Sequence, residues 1–399
     1  MIDGNAFLEQ LQKEGVTYIT GVPDSLLSAF SACLLNQDSE PARKMTHVIA
    51  ANEGNAAAMA AGHYLATGEI SLVYMQNSGI GNMVNPAVSL LHPEVYGIPI
   101  LFLVGWRGEP GTKDEPQHMV QGRITEKLLE TMEIPCELLS REWGQAQQQL
   151  KNGFAWMKEH SRSYALLVSK DTFAPCPLQK KGKEDKKGSA LLREEAIAEL
   201  LKWIPEDAFV VSTTGKCSRE LFELREGEKK KTGETSFEEG THLHEKDFLT
   251  VGSMGHASSI AMGAAAGTSH PVVCLDGDGA ALMHMGAMAV LGQSGCSNLV
   301  HIVLNNGAHE SVGGQPTVAG EIVLTQLAQA CGYASCYRVN SREQMRNVLQ
   351  PFLWNQGPVF IEVEIGIGSR KDLGRPTVPP QENKKAVMQF LKKEKKTKW

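Results

Sequence analysis

The sequence predicts an α/β protein made of two doubly wound parallel-sheet domains, and three observations lead to that prediction. Short apolar runs alternate with longer segments of helical period, as in repeated strand–helix–strand units. The 399 residues are enough for two to three domains. One polar stretch near the middle separates two series of similar length, so two related sheets are expected, with an active site at their junction.

The predicted strands are the short apolar runs, and the predicted helices fill the intervals between them. The strands are Tyr18–Thr20, His47–Ala50, Ser71–Met75, Ile100–Val104, Ala165–Ser169, Phe209–Ser212, Val272–Leu275, Leu299–Leu304 and Val359–Val363. The helices include Asn5–Glu14, Asn52–Thr67, Leu191–Trp203, Met283–Gly292 and Ser341–Trp354.

The polar stretch predicts the domain boundaries. Residues 176–190 combine turn formers with charges, which is typical of a linker between a domain at 1–175 and another at 191–399. A second charged stretch, Arg225–Glu239, lacks periodicity and predicts a solvated surface loop. The segment 384–398 is expected to form an amphipathic surface helix; an electrostatic partner site is the alternative.

Charge argues against two classes of protein. The net charge is −6 and the pI is near 6.1, whereas nucleic-acid and membrane-surface binders need a cationic field. The excess of acidic residues lies in residues 1–175, which hold 12 basic and 19 acidic residues. Residues 176–399 hold 27 basic and 26 acidic residues. We therefore expect neither nucleic acid nor membrane as a partner.

Cysteine usage and the N-terminus predict a cytoplasmic protein. The eight cysteines include no Cys-x-x-Cys pair and no zinc-finger spacing, so buried reduced thiols are expected. The N-terminal residues lack the basic and apolar regions of a secretory signal, and no stretch reaches the roughly 20 apolar residues of a spanning helix.

Two strand ends carry the most informative motifs. Val272–Leu275 leads into Gly277-Asp278-Gly279, and the next predicted strand, Leu299–Leu304, leads into Asn305-Asn306. Carboxylate and amide oxygens are ligands that Mg²⁺ prefers, and a helix that starts after a glycine-flanked turn can face phosphate. Gly-Asp-Gly alone could be an ordinary turn, but its pairing with Asn-Asn at this spacing is specific.

The paired motifs resemble those of the thiamine diphosphate enzyme family. The resemblance implies a thiamine diphosphate cofactor with Mg²⁺ held by Asp278, Asn306 and the Ala308 carbonyl, although which of Asn305 and Asn306 reaches the metal stays open. It also places Gly277, Gly279 and Ala280 at the cofactor and implies a pyrimidine-binding domain followed by a diphosphate-binding domain.

The family also needs a glutamate from the other domain, and Glu53 fits. It lies between the strand His47–Ala50 and a helix of small residues. Taken alone, Glu53 would be a first-turn carboxylate favoured by the helix dipole. The resemblance implies that it hydrogen-bonds a ring nitrogen of the cofactor and promotes loss of the thiazolium proton. Burial should raise its pKa.

Two glycine-rich segments complete the predicted cofactor site. In Val251–Ala257, the resemblance gives Gly252 and Ser253 cofactor contacts and Met254 the apolar support of the bent cofactor. The segment Gln76–Asn82 follows a strand, and its Asn77 and Ser78 suit a substrate or cofactor loop. Tight turns are the alternative for both.

Most large thiamine diphosphate decarboxylases carry a middle domain between the two catalytic domains, whereas this chain has only a short linker there. The resemblance is therefore to compact two-domain decarboxylases. Several strings carry it: Gly21-Val-Pro-Asp24-Ser25, Gly105–Gly111, Asp114–His118, Ser212–Phe222 and Asn305–Pro316. It implies non-oxidative decarboxylation of 3-phosphonopyruvate to phosphonoacetaldehyde and CO₂; 3-sulfopyruvate or another small 2-oxo acid is the alternative. The stretch Glu228–His244 departs from the pattern and should alter only a surface loop.

An anionic substrate requires cations and hydrogen-bond donors at its binding site, although the first half of the chain is acidic overall. The candidates in glycine-rich or strand-end contexts are Asp24, Ser25, Asn77, Ser78, Arg107, His118 and Lys216, with Lys113 and Arg219 as further cations. His309 follows the metal motif and is either a proton donor or a wall of the cofactor site.

The resemblance also implies self-association. Glu53 of one chain would serve the Asp278 site of another, and a monomer would be inactive. A non-catalytic phosphate- or nucleotide-binding protein of the same fold class is the remaining alternative, because a phosphate loop alone does not require catalysis.

Overall fold

The computed structural model describes residues 1–37, 45–178, 191–232 and 244–392. It divides into two compact units, Met1–Lys183 with Val312–Gln315, and Glu184–Ser311 with Pro316–Trp399. Most of the predicted linker lies outside the described residues, so the domain boundaries at 175 and 191 stay predictions.

The first unit is a six-stranded parallel sheet with helices between its strands. The strands are β1 (Tyr18–Gly21), β2 (Thr46–Ile49), β3 (Ser71–Gln76), β4 (Ile100–Gly105), β5 (Cys136–Leu138) and β6 (Tyr164–Val168). The helices are α1 (Gly4–Lys13), α2 (Ser28–Gln37), α3 (Glu53–Thr67), α4 (Ile80–Pro86), α5 (Pro116–Thr131) and α6 (Trp143–His160). The strand order is β2-β1-β3-β4-β6-β5, which is doubly wound about β1 and β3.

Both faces of this sheet are covered. Along β3, Leu72 and Tyr74 enter one apolar core while Val73 and Met75 enter the other. Burial on both faces explains why the strands are continuous apolar runs and not alternating ones. On α3, Ala56, Ala57, Ala60 and Ala61 are buried, and these small side chains let the helix lie close to the sheet.

The second unit repeats the plan. Its strands are β7 (Phe209–Ser212), β8 (Asp247–Leu249), β9 (Val272–Gly277), β10 (Leu299–Asn305), β11 (Ala308–His309), β12 (Gln315–Pro316), β13 (Ser335–Val339) and β14 (Val359–Glu364). Its helices are α7 (Arg193–Leu201), α8 (Lys216–Thr232), α9 (Ala257–Ala265), α10 (Asp278–Met283), α11 (Gly286–Gly292), α12 (Leu324–Cys331), α13 (Arg342–Val348) and α14 (Pro380–Lys392). The parallel sheet has the order β13-β14-β10-β9-β7-β8.

Two predicted helices differ from the structure. The helix predicted over Met283–Gly292 begins at Gly286, because α10 ends at Met283 and His284 leaves helical geometry. The helix predicted over Ser341–Trp354 ends at Val348, since Pro351 cannot continue it and starts a separate 3₁₀ turn. Both predictions merged two shorter elements.

The charged stretch predicted as a loop is helical over much of its length. The helix α8 continues to Thr232 because Arg, Glu and Lys are good helix formers even without an apolar stripe. Arg225 on this helix makes a bidentate ion pair with buried Asp247 at 3.1 Å. Residues 233–243 lie outside the described residues, as do 393–398 of the predicted C-terminal helix, whose described part buries Val387 and Phe390.

Two further expectations can be compared with the structure. All eight cysteines lie in the described part of the chain and are free thiols, but only three of them are buried and the other five are half-buried. Within that same part, no helix has both the length and the apolar character needed to cross a bilayer.

Candidate active site

The two motifs of the second unit lie at one edge of its sheet. Strands β9 and β10 are parallel neighbours, with Leu304 opposite Gly277. The residues that follow, Asp278 and Asn305-Asn306, therefore leave the sheet side by side. Asp278 is the first residue of α10 and is buried.

Thr317 connects these motifs. Its hydroxyl donates to Asp278 Oδ2 at 2.5 Å, and its backbone N–H donates to the Gly307 carbonyl at 2.9 Å. Burial raises the pKa of Asp278, against the lowering effect of the Thr317 hydrogen bond. A carboxylate removed from water in this way gains most from a cation bound beside it.

The adjacent asparagines have different environments. The Asn305 amide donates to Glu362 Oε1 at 2.8 Å, and its oxygen accepts from the Gly307 N–H at 3.0 Å. The Asn306 amide donates to Glu310 Oε2 at 3.0 Å, and its oxygen accepts from the Ala308 N–H at 3.1 Å. Asn305 is thus tied into the sheet, whereas Asn306 belongs to the turn that carries Ala308.

Glycines let two histidine rings pack closely against α10. A β-carbon on Gly279 would lie 2.9 Å from the His309 ring, and one on Gly255 would lie 2.6 Å from the His284 ring. Gly255 also has φ +86°, which favours glycine. Neither position can carry a side chain, because the His309 and His284 rings already occupy the space that a β-carbon would need. Burial lowers the pKa of His309 to about 4, so its imidazole is uncharged at neutral pH.

The predicted cofactor loop packs on this helix. Gly255, next to the half-buried Met254, contacts Met283 and His284, and the His256 and His284 ring centroids are 4.3 Å apart. Ser253 holds φ +54°, an uncommon value for a residue with a side chain. Gly255 and His256 therefore hold the end of this loop beside α10, while the ligand contacts of Gly252, Ser253 and Met254 stay predictions.

In the first unit, Glu53 occupies a tightly closed position. Asn52 caps α3 by accepting from the Asn55 N–H at 2.9 Å, which makes Glu53 the first helical residue. Its carboxylate is 4% exposed and accepts from the Asn82 amide at 2.7 Å. Burial raises the pKa of Glu53 more than this hydrogen bond lowers it.

Two glycines allow the segments around Glu53 to pack closely. A β-carbon on Gly79 would collide with the Glu53 carboxylate, and one on Gly54 would lie 2.9 Å from the Asn82 carbonyl. The starts of α3 and α4 therefore meet backbone to backbone around Glu53.

The substrate candidates of the first unit form one cluster. Arg107, after β4, donates to Ser25 Oγ at 3.0 Å and makes a bidentate ion pair with Asp114 at 2.8 and 2.5 Å. Electrostatic interactions couple Arg107 to Asp24 and to His118. The cluster lies at the carboxyl ends of β1 and β4, the edge where doubly wound sheets bind ligands.

Two members of the cluster carry atoms without partners. Among the described residues, no hydrogen bond reaches Asp24 Oδ1 or His118 Nδ1, although both atoms are buried. Burial raises the pKa of Asp24 to about 6 and lowers the pKa of His118 to about 4. Unpartnered buried polar atoms at a strand edge are typical of ligand sites.

Known proteins match both halves of the chain. Residues 3–129 match the thiamine pyrophosphate enzyme, N-terminal TPP binding domain, and residues 232–363 match the corresponding C-terminal domain. The phosphonopyruvate decarboxylase of Streptomyces viridochromogenes is 36% identical over 94% of this chain and 92% of its own length. The chain belongs to the thiamine pyrophosphate enzyme family.

Other members of the family match to different extents. The phosphonopyruvate decarboxylase of Streptomyces hygroscopicus is 35% identical over 98% of this chain and 94% of its own length. The sulfopyruvate decarboxylase of Methanosarcina acetivorans is 28% identical, covering 84% of this chain and 85% of its own length. Thiamine pyrophosphate, which is thiamine diphosphate, is thus the cofactor of this family member.

The donor set of the second unit fits the Mg²⁺ that accompanies this cofactor. Asp278, Asn306 and Ala308 offer a carboxylate, an amide and a main-chain carbonyl, all of them hard oxygen ligands. Thr317 hydrogen-bonds to both ligand-bearing segments, and the glycine at 279 lets the His309 ring pack against the helix start. These residues would hold the metal and the diphosphate.

Three predicted ligand residues have protein partners in the structure, and their ligand contacts stay predictions. The Asn77 side chain is fully buried, donates to the Arg107 carbonyl at 2.8 Å and to Thr125 Oγ1 at 2.9 Å, and so orients the Arg107 loop. Lys216 is paired with Glu310 at 3.0 Å, which reduces its availability to an anionic substrate. Ser78 is exposed and accepts from Gln76 at 2.6 Å.

Sequence reasoning missed several residues of these sites. Thr317, Asn82 and Asp114 each hold a predicted functional group through a hydrogen bond or an ion pair. All three lie in or beside the segments that carry the resemblance. Polar residues of this kind do not show from sequence which neighbour they contact, so only the fold identifies them.

Proposed function

We propose that the protein catalyses the non-oxidative decarboxylation of 3-phosphonopyruvate to phosphonoacetaldehyde and CO₂, with thiamine diphosphate and Mg²⁺. The observation that carries the proposal is the similarity to two phosphonopyruvate decarboxylases over nearly the full chain. The local settings of Asp278 and Asn306 in the second unit, and of Glu53 in the first, support it, because these residues provide the groups that the cofactor requires.

Glu53 would exchange a proton with the cofactor. A buried carboxyl with a raised pKa can share a proton with a ring nitrogen more readily than an exposed one. Asn82 fixes one carboxylate oxygen, so the other is oriented. When bound, thiamine diphosphate supplies the electron sink that accepts the electron pair left as CO₂ departs.

The cluster of the first unit would hold the substrate. The Asp114 ion pair orients Arg107, and a positioned guanidinium suits an oxyanion. Because the pKa of Asp24 is about 6, its carboxyl is mostly ionised at neutral pH, and it binds a proton that Oδ1 can donate only as the pH falls below about 6. His309 is uncharged at neutral pH, so a role as proton donor would require an anionic substrate to raise its pKa.

We also propose that the protein acts in the cytoplasm as a self-associated protein. The eight free thiols are compatible with a reducing compartment. For self-association, the support is the family resemblance, in which Glu53 of one protomer serves the Asp278 site of its partner.

A side-by-side assay of CO₂ release from phosphonopyruvate, sulfopyruvate and pyruvate tests the substrate. We expect kcat/KM for phosphonopyruvate to exceed that for pyruvate about a hundredfold or more, because a site with paired polar groups rejects an analogue that lacks their partner. Equal values for phosphonopyruvate and pyruvate would refute the proposal. A higher value for sulfopyruvate would assign the enzyme to the alternative substrate.

A further inference from the structure

Glu310 is the centre of a charged network beside the metal motif. Its carboxylate is mostly buried. Oε1 accepts from the Lys216 ammonium at 3.0 Å, while Oε2 accepts from Arg193 Nη1 and from the Asn306 amide, each at 3.0 Å. One carboxylate therefore holds two cations and one candidate metal ligand.

The cations that hold Glu310 are themselves fixed. Arg193 begins α7 and makes a bidentate ion pair with Glu220 of α8, at 2.8 and 3.2 Å. Glu220 is fully buried. Lys216 begins the same helix, α8. The position of Glu310 is thus set by two helices of the unit and not by its own loop alone.

This position controls the orientation of the Asn306 side chain. An amide has a donor side and an acceptor side, so fixing its NH₂ group on Glu310 fixes the direction of its oxygen. The oxygen lies on the side of the Ala308 turn, 3.1 Å from the Ala308 N–H, and retains a second lone pair for a cation. The reversed amide would present NH₂ to the cation and bind it poorly.

We propose that Glu310 is a positioning residue that orients the Asn306 amide oxygen toward Mg²⁺. The proposal rests on the proposed function, since it assumes that Asn306 is a Mg²⁺ ligand. Partners that orient a metal ligand typically change metal affinity by about 10- to 100-fold when they are removed. Arg193 and Lys216 act one step further away, through Glu310.

A double-mutant cycle on Mg²⁺-dependent cofactor binding tests the proposal without any activity measurement. The readout is the Mg²⁺ concentration that gives half-maximal binding of thiamine diphosphate, followed by equilibrium dialysis of the full-length protein. Glu310→Ala should raise this concentration about tenfold or more. In an Asn306→Ala background the same change should have less than about a threefold effect, because the group through which Glu310 acts is absent.

Two further variants separate positioning from charge and folding. Glu220→Gln removes the same charge from the same network without contacting Asn306, and should change the half-maximal Mg²⁺ concentration less than about threefold. If Glu310→Ala is unstable, Glu310→Asp replaces it. This variant keeps the charge but shortens the side chain by one methylene, and it should also raise the half-maximal Mg²⁺ concentration.

The outcomes distinguish this proposal from the proposed function. Additive effects of Glu310→Ala and Asn306→Ala, or equal effects of Glu310→Ala and Glu220→Gln, would overturn the positioning role while the wild type still binds the cofactor. A wild type that binds no thiamine diphosphate with Mg²⁺ would overturn both.

Discussion

Glu53→Gln is expected to lower turnover by about two to four orders of magnitude, the usual range for a positioned proton-transfer group. The amide is isosteric and can still accept from Asn82, but it cannot take up and release a proton. Because burial raises the pKa of Glu53, removing the charge should not destabilise the unit. Thiamine diphosphate should still bind, since the diphosphate and metal residues are unchanged.

The measurement is CO₂ release by the purified variant, with cofactor binding determined on the same preparation. Glu126→Gln is the matched control, because Glu126 is an exposed glutamate on α5 of the same unit. Wild-type turnover in Glu53→Gln would remove Glu53 from the mechanism. Loss of turnover together with loss of cofactor binding would give Glu53 a role in binding only.

Asp24→Asn is expected to stabilise the protein at pH 8 while reducing turnover. Burial raises the pKa of Asp24 from 3.8 to about 6, so the folded state binds this proton more tightly than the unfolded state does. The folded state therefore loses stability as the pH rises from about 4 through about 6. A shift of this size corresponds to a cost on the order of 2 to 3 kcal/mol for the ionised carboxylate at pH 8.

Urea unfolding of the wild type and the variant at several pH values measures this effect. The two proteins should have similar free energies of unfolding at about pH 3.5, below the unfolded pKa, and the variant should be more stable by up to about 2 to 3 kcal/mol at pH 8. Turnover should fall because the substitution converts the carboxylate, whose Oδ1 has no hydrogen-bond partner among the described residues, into an amide. A stability difference that does not change with pH would show that Asp24 ionises in the folded state as it does in water.

Much of the fold follows from local pattern. The apolar strands Ser71–Met75 and Val272–Leu275 were predicted almost to their bounds, because both faces of a parallel sheet require continuous apolar runs. The edge strands Cys136–Leu138 and Asp247–Leu249 do not show in the sequence, since strands of three residues are too short to give such a signal. The sequence also does not reveal that α8 continues through charged residues. A charged run without apolar periodicity, as in Arg225–Glu239, favours a solvated loop.

The candidate site was predictable where a motif fixes the backbone, and less so where side chains choose partners. The order of strand, glycine turn and helix placed Asp278 correctly at the start of a helix. For Asn77, sequence showed a polar residue in a glycine-rich loop, which suits a ligand. It could not show that Thr125, 48 residues away in the chain, would take its amide hydrogens.

Reconstitution of the cofactor-free protein is the decisive measurement of the proposed chemistry. The protein is dialysed against a chelator until no thiamine diphosphate or divalent metal remains, and CO₂ release from phosphonopyruvate is then followed. Release should return only when thiamine diphosphate and Mg²⁺ are added together, with phosphonoacetaldehyde formed in equal amount. Release without either addition, or none from the folded protein with both present, would contradict the assignment.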